Sequence, residues 1–400
     1  MTIETDLHKI EHRIAHLVRR HLAHDDIAIA LPLRRIADLV TDQAVESSKG
    51  GKRLRALLAL AFFDAALASN ADAPTLDADA TTSNADASNA EASAAAAPDT
   101  ASCTPGNATR APGTDRGTML DLACAIEVFQ TAALVHDDII DESPLRRGRP
   151  SAHTALTHVT NSSAIGRGLG IMLGDLLATE SVAVAEHAAQ RMTNDHAVIE
   201  AFLDMHREVE VGQVLDLGVE MTPLDDPKAL ADASLNVFRW KTASYTTIAP
   251  IRLGLLAAGM DRDEARRRAL AIGVPLGVAF QLTDDLLDVT SDSHRTGKPV
   301  GGDIREGKRT VLLADALAAA NPSERAELIA MFEAPGRDET QVRRAIELFI
   351  GGGASERSLE RITALRDESR AAIERWWPAS TPSGRALAEV CERFVPLSRR

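Results

Sequence analysis

The chain has 400 residues, enough for one large domain or two ordinary ones, with 45% hydrophobic but only 3% aromatic content, so Leu, Ala, Ile and Val must fill its core. A net charge of −14 repels nucleic acid and anionic membrane, so an anionic ligand would need local basic groups or metal to hold it. Cys103, Cys124 and Cys391 are scattered without zinc spacing, which argues against a disulfide scaffold and for a reducing cytosol. Residues 1–22 are charged and amphipathic, unlike a signal peptide, and no uncharged apolar run reaches the length of a membrane span. A cytoplasmic protein with no transmembrane segment is expected. Ala/Leu-rich, periodic, Gly-poor stretches predict an all-α fold.

Residues 7–22 read as an amphipathic helix, with Ile10, Ile14, Leu17 and Leu22 on one stripe, and a second helix is predicted over 31–44. Gly50-Gly51-Lys52-Arg53-Leu54-Arg55 then opens directly into a helix over 54–67. Glycines let backbone approach a phosphate, and the helix N-terminus and basic side chains supply N–H groups and charge, although solvated surface lysines and arginines would look the same. Residues 70–117 are Ala, Asp, Ser, Thr and Asn with Leu76 as the lone large apolar side chain, a composition that predicts a disordered insertion interrupting one domain that spans 1–400.

Residues 119–141 form the next predicted helix, with Thr118 as N-cap, ending in Asp137-Asp138-Ile139-Ile140-Asp141. Its first and last carboxylates, four residues apart, stack on one face. The basic loop Pro144-Leu145-Arg146-Arg147-Gly148-Arg149-Pro150 follows. Helices are predicted over 165–191, 197–217, 227–258 and 262–289, the third carrying Lys241-Thr242 and the last Gln281 and Asp284-Asp285-Leu286-Leu287-Asp288. Residues 296–309 form a glycine-rich basic loop containing Lys298, and four or five further helices complete the chain.

Both triads sit near helix C-termini, where the macrodipole already disfavours negative charge. One such triad could be a solvated acidic helix end; a matched pair makes sense if cations sit between them, with Mg²⁺ suited to oxygen ligands and phosphates. The chain has no GxSxG, HExxH, Walker A or Rossmann fingerprint in context. Paired triads, basic loops and apolar helical walls describe a pocket for phosphorylated ligands with hydrocarbon tails.

These motifs resemble the trans-isoprenyl diphosphate synthases, the polyprenyl synthetase family, most of all its geranylgeranyl diphosphate synthases. Gly50 to Arg55, the triad at Asp137 with Arg146-Arg147-Gly148, Lys241-Thr242, Phe280-Gln281 with the triad at Asp284, Gly297-Lys298-Pro299 and Glu306-Gly307-Lys308-Arg309-Thr310 occur in family order. The resemblance implies a large antiparallel helical bundle around a central cavity, working as a homodimer. It implies a Mg²⁺-dependent condensation of isopentenyl diphosphate with an allylic diphosphate. Asp137, Asp141 and Asp284 would ligate Mg²⁺, with Asp138 and Asp285 beside them. Arg146, Lys241, Thr242, Gln281 and Lys298 would hold the allylic diphosphate, and Lys52, Arg53 and Arg147 the isopentenyl diphosphate. Gln130 replaces a His that many members use for isopentenyl binding, and its amide cannot become cationic.

The growing tail would run along the helix leading to Asp137. Ala133 and Phe129 lie about 6 and 12 Å back at 1.5 Å per residue. In the family, bulk four or five positions before the triad stops growth early; here Ala133 and Ala132 leave that level open. Phe129 is then a candidate floor, favouring a medium product such as geranylgeranyl diphosphate, unless it only packs in the core. Farnesyl or longer polyprenyl products, a non-catalytic partner subunit and a class I terpene cyclase are the competing readings. Two intact triads disfavour the subunit, and a second DDxxD with a glycine turn disfavours the cyclase.

Overall fold

A computed structural model of the chain describes residues 3–22, 28–71, 114–290 and 300–396. The insertion predicted over 70–117 lies largely outside these, as does Lys298. Among the described residues the fold is all-α, apart from one two-stranded hairpin. In chain order come α1 (Ile3–His21), α2 (Leu31–Ser47), α3 (Leu54–Ala71) and α4 (Arg116–Ile140), then the hairpin strands β1 (Leu145–Arg146) and β2 (Arg149–Pro150). There follow α5 (Ala152–Thr160), α6 (Ser163–Ala189), α7 (Asp195–Val219) and α8 (Pro227–Val237), which runs through a π-helical segment (Phe238–Ile248) into α9 (Ala249–Ala257). α10 (Arg262–Thr290), the short α11 (Gly302–Glu306), α12 (Val311–Ala319), α13 (Pro322–Glu333), α14 (Glu339–Gly351), α15 (Ala354–Trp376) and α16 (Pro382–Glu392) complete it.

The edges of the insertion are helical. Residues 70 and 71 end α3, and α4 begins at Arg116, two residues before the predicted cap Thr118. The cap is Asp115, whose carboxylate accepts from the Gly117 and Thr118 backbone N–H groups at 2.7 and 3.1 Å. Arg116 reaches both Asp6 of α1 (2.9 Å) and Asp64 of α3 (3.1 Å), pinning the start of α4 to two neighbours. Helix α5 and the π-helical stretch were not foreseen. The π segment ends immediately before α9, whose second residue Pro250 lacks the N–H that an uninterrupted α ladder would require.

The main core lies among α3, α4, α7, α9 and α10, where Leu58, Phe62, Phe63, Ile126, Phe202 and Leu282 are wholly buried. A smaller cluster under α12 to α14 includes Leu313, Leu317 and Leu328. Trp377 joins the main core, 2% exposed, its Nε1–H donating to Ala65 O at 3.3 Å and Ser69 Oγ at 3.1 Å. That satisfies the indole within apolar surroundings.

Three helices, α4, α6 and α10, are long and apolar enough by length and composition to cross a membrane, although, as expected, no uncharged run within them reaches that length. The most apolar window of α4 is 78% buried within the fold and that of α6 only 39%. Packing thus accounts for the hydrophobicity of α4 and leaves much of α6 uncovered.

Helix α7 meets the π segment by close backbone approach at Gly212, where an added Cβ would lie 2.3 Å from the Lys241 backbone nitrogen. Gly212→Ala is therefore expected to destabilise. The strain of overpacking exceeds the ~1 kcal/mol that alanine gains in helix propensity, leaving a net loss of roughly 1–2 kcal/mol. The urea unfolding midpoint measures it; an unchanged or raised midpoint would contradict the packing at Gly212.

Candidate active site

The first triad ends α4. Asp141 is the C-cap residue, and its N–H bonds Asp137 O at 2.8 Å, so the one-turn stacking of the two carboxylates extends to the helix terminus. Asp138 points into the protein, 2% exposed, and accepts from Arg146 Nε at 2.8 Å. Arg146 is carried there by the β1–β2 hairpin, the structural form of the predicted basic loop, and its Nη2 lies 3.6 Å from Asp137. The second triad lies in the last turns of α10. Asp284 is exposed, Asp285 is 4% exposed and accepts from Gln281 Nε2 at 2.8 Å, and Asp288 accepts from the Gly302 and Asp303 backbone N–H groups, both at 3.1 Å.

Two chains of contact join the triads. Lys241, in the π segment, donates to Asp137 at 3.1 Å and to Asp216 of α7 at 2.6 Å. Its neighbour Thr242 donates to Gln281 at 2.9 Å, and Gln281 in turn holds Asp285. On the other side Lys308 bonds Asp141 at 3.3 Å and lies 2.8 Å from Glu306 and 3.6 Å from Asp303, whose own backbone N–H is on Asp288. The triads therefore belong to one cleft.

Charge in that cleft is under strain. Burial raises Asp138, Asp141 and Asp288 above the usual carboxylate range, against the opposing pull of Arg146 on Asp138 and of Lys308 on Asp141. Asp285 is pushed well up by burial and by Asp303, and burial lifts Asp303 to about 7. Burial works to lower Lys241, but Asp137 and Asp216 together hold it above its ordinary value; Lys308 is raised in the same way by Asp303, Asp141 and Glu306. Asp285 Oδ2 is buried without a hydrogen-bond partner.

This donor set fits a hard divalent cation. It is all carboxylate oxygen, over-charged for its burial, and includes an unpaired Oδ2. Among the described residues no three His, Cys, Asp or Glu side chains converge closely enough to hold an ion unaided. Mg²⁺ commonly takes one or two carboxylates and completes its shell with water and ligand phosphates, so Asp137, Asp141 and Asp284 suit that role.

The glycine turn comes to the edge of the same region. Gly50 and Gly51 have φ of +75° and +105°, and Arg147 bonds the Gly50 carbonyl at 2.8 Å and the Lys49 carbonyl at 3.1 Å. A side chain at Gly51 would meet Arg147 Nη2 at 2.8 Å, so the glycine is required by this contact as well as by its φ. Lys52 is exposed beside it. Arg53 is committed inward, 4% exposed, to Glu11 at 2.7 Å and to the buried Glu127 at 3.3 Å, and it also donates to Ser48 O. The turn thus brings Lys52 and Arg147 together at the surface, with Arg53 anchoring it from below.

Along α4, Gln130, Ala133, Leu134, Asp137 and Asp141 are all half-exposed, whereas Phe129 and Ala132 are each 1% exposed. Asp216, Lys308, Asp303 and Asp288 were missed as individual site residues. For Asp216 a signal existed: Gln213 precedes it by three, repeating the spacing of Gln281 and Asp284. Lys308 and Asp303 stood within the glycine-rich basic loop predicted over 296–309, but their partners are 167 and 15 residues distant in sequence.

A family model described as polyprenyl synthetase matches residues 101–349. The short chain isoprenyl diphosphate synthase of Methanothermobacter thermautotrophicus is 33% identical over 243 residues, 60% of this chain and 69% of that protein. The octaprenyl diphosphate synthase of Escherichia coli is 31% identical over 255 residues, 63% of this chain and 72% of that protein. Among solved structures, a geranylgeranyl pyrophosphate synthase from Corynebacterium glutamicum, complexed with isoprenyl diphosphate and magnesium, superposes with a TM-score of 0.73 at 27% identity, covering 98% of this chain and 99% of that one. The all-helical fold agrees with that match, and the chain belongs to the polyprenyl synthetase family as a trans-isoprenyl diphosphate synthase, a prenyltransferase.

Proposed function

We propose that this enzyme condenses isopentenyl diphosphate with an allylic diphosphate in a Mg²⁺-dependent reaction that ends at a medium chain length, geranylgeranyl diphosphate being the best fit. The observation that carries the reading is the single cleft in which both triads are linked through Lys241 and Lys308. Bound Mg²⁺ would neutralise the departing diphosphate. Arg146, Lys241 and Lys298 would grip phosphate oxygens of the allylic substrate, with Thr242 and Gln281 orienting them by hydrogen bonds. Lys52 and Arg147 would take the isopentenyl diphosphate at the glycine turn, with Arg53 holding that turn in shape, and Gln130 would present its amide to the cavity.

The allylic C–O bond breaks with its electron pair leaving on diphosphate. The isopentenyl double bond attacks the resulting cation, and a proton is lost to the released diphosphate. No protein nucleophile is needed. The apolar walls of α4 and its neighbours would exclude water from the cation. Ala132 and Ala133 leave room near the acids, and Phe129 is the first large side chain further down. Relatives that include geranylgeranyl, geranylfarnesyl and octaprenyl diphosphate synthases span that range of lengths, so the limit must come from this cavity.

The working form is proposed to be a cytoplasmic homodimer. Support comes from an uncovered apolar surface on α6 and α7, where Ile165, Met172, Val211, Val214 and Leu217 are exposed, Val214 by 69%. A second copy would bury such a face. Light scattering during gel filtration should give twice the 42.7 kDa chain mass. A monomer at micromolar concentration would remove the dimer from the proposal.

Incubation with isopentenyl and farnesyl diphosphates plus Mg²⁺, read by product mass, is expected to give geranylgeranyl diphosphate; no elongation of any allylic primer would overturn the reading. Asp137→Ala and Asp284→Ala should keep the helical circular dichroism spectrum but lose at least a hundredfold in kcat, on the order of 3 kcal/mol of transition-state stabilisation. Near wild-type turnover in either would refute the metal assignment.

A further inference from the structure

We propose that His206 is the second half of the floor that stops product growth, closing against Phe129 from the opposite helix. The inference rests on the elongation reading above and adds a residue that no motif marks. The half-exposed stripe of α4 runs from Asp141 through Asp137 and Ala133 to Gln130 and stops there, because every residue from 121 to 129 is buried. The next member of the stripe, Ile126, is 0% exposed, and Phe129 stands beside it at 1%. At 1.5 Å per residue, this end lies roughly 10–12 Å below Asp137.

At that level His206 of α7 stacks on Phe129 with ring centroids 3.9 Å apart and planes tilted by 33°. Tyr245 of the π segment meets the same Phe129 ring edge-on at 6.1 Å, and Phe202 backs His206 at 5.1 Å. Ser181 of α6 fixes the imidazole through a 3.2 Å contact between its hydroxyl and Nε2. Four helical segments thus contribute to one layer, and truncating Phe129 alone leaves the imidazole across the opening. Burial lowers the His206 pKa to about 4, so the ring is neutral near pH 7 and can border a hydrocarbon tail.

The test compares product length by mass in wild type, Phe129→Ala, His206→Ala, His206→Phe and the double alanine variant, each with farnesyl and isopentenyl diphosphates and Mg²⁺. His206→Ala is expected to lengthen the main product by at least one isoprene unit and the double variant by more than either single. His206→Phe should leave the length unchanged or shorter. Wild-type product length in folded His206→Ala overturns the proposal, as does a longer product from His206→Phe; should His206→Ala fail to fold, His206→Val carries the same expectation and the same refutation. If Phe129→Ala lengthens the product and the His206 variants do not, this inference alone fails. If wild type elongates nothing, the proposed reaction fails with it.

Discussion

Carboxylates gathered at helix C-termini in a half-buried cleft must be compensated, and the way this protein does so governs the rest of its architecture. The backbone dipole, mutual repulsion and lost hydration all oppose the charge on Asp138, Asp141, Asp285 and Asp288. Arg146, Lys241 and Lys308 supply the opposing charge, each from a different element: the hairpin, the π segment and the loop after α11. None belongs to the helices that carry the acids. The acidic cleft is therefore also a tertiary clamp, holding α4 and α10 in register with three other parts of the chain.

That clamp has a built-in mismatch. Asp285 keeps a buried oxygen with no partner, and Asp303 is lifted to about 7, so three basic side chains do not fully balance the cluster. Residual negative charge suits the divalent cations proposed for this site. A fully neutralised cluster would be more stable and would have less affinity for such cations.

Position is set as much by missing atoms as by charged ones. Gly212 lets α7 touch the backbone at Lys241, which places the ammonium between Asp137 and Asp216. Gly51 lets the Arg147 guanidinium lie on the turn that carries Lys52. The apolar side of α4 follows the same logic in reverse, small at Ala132 and Ala133, with the Phe129 ring packed against His206 one turn further down.

Periodicity, caps and apolar content made most helices legible, because the forces that form them act within a few residues. The triads were legible because an i, i+4 pair fixes a shared face wherever the helix goes. The start of α4 was read three residues late, since Asp115 and Thr118 are both good caps and only packing of Arg116 onto Asp6 and Asp64 distinguishes them. Helix α5 and the π segment escaped, the first being short and the second depending on how α7 packs against it. Sequence by itself determined the helical class and the acidic motifs, carried by local spacing, and the family resemblance, carried by the order of its motifs. Only tertiary structure decided that Lys308 links Asp141 to Asp303, that Asp216 shares Lys241, and that His206 meets Phe129. Each of those depends on side chains brought together from distant segments, and the spacing of residues along the chain holds no record of such distances.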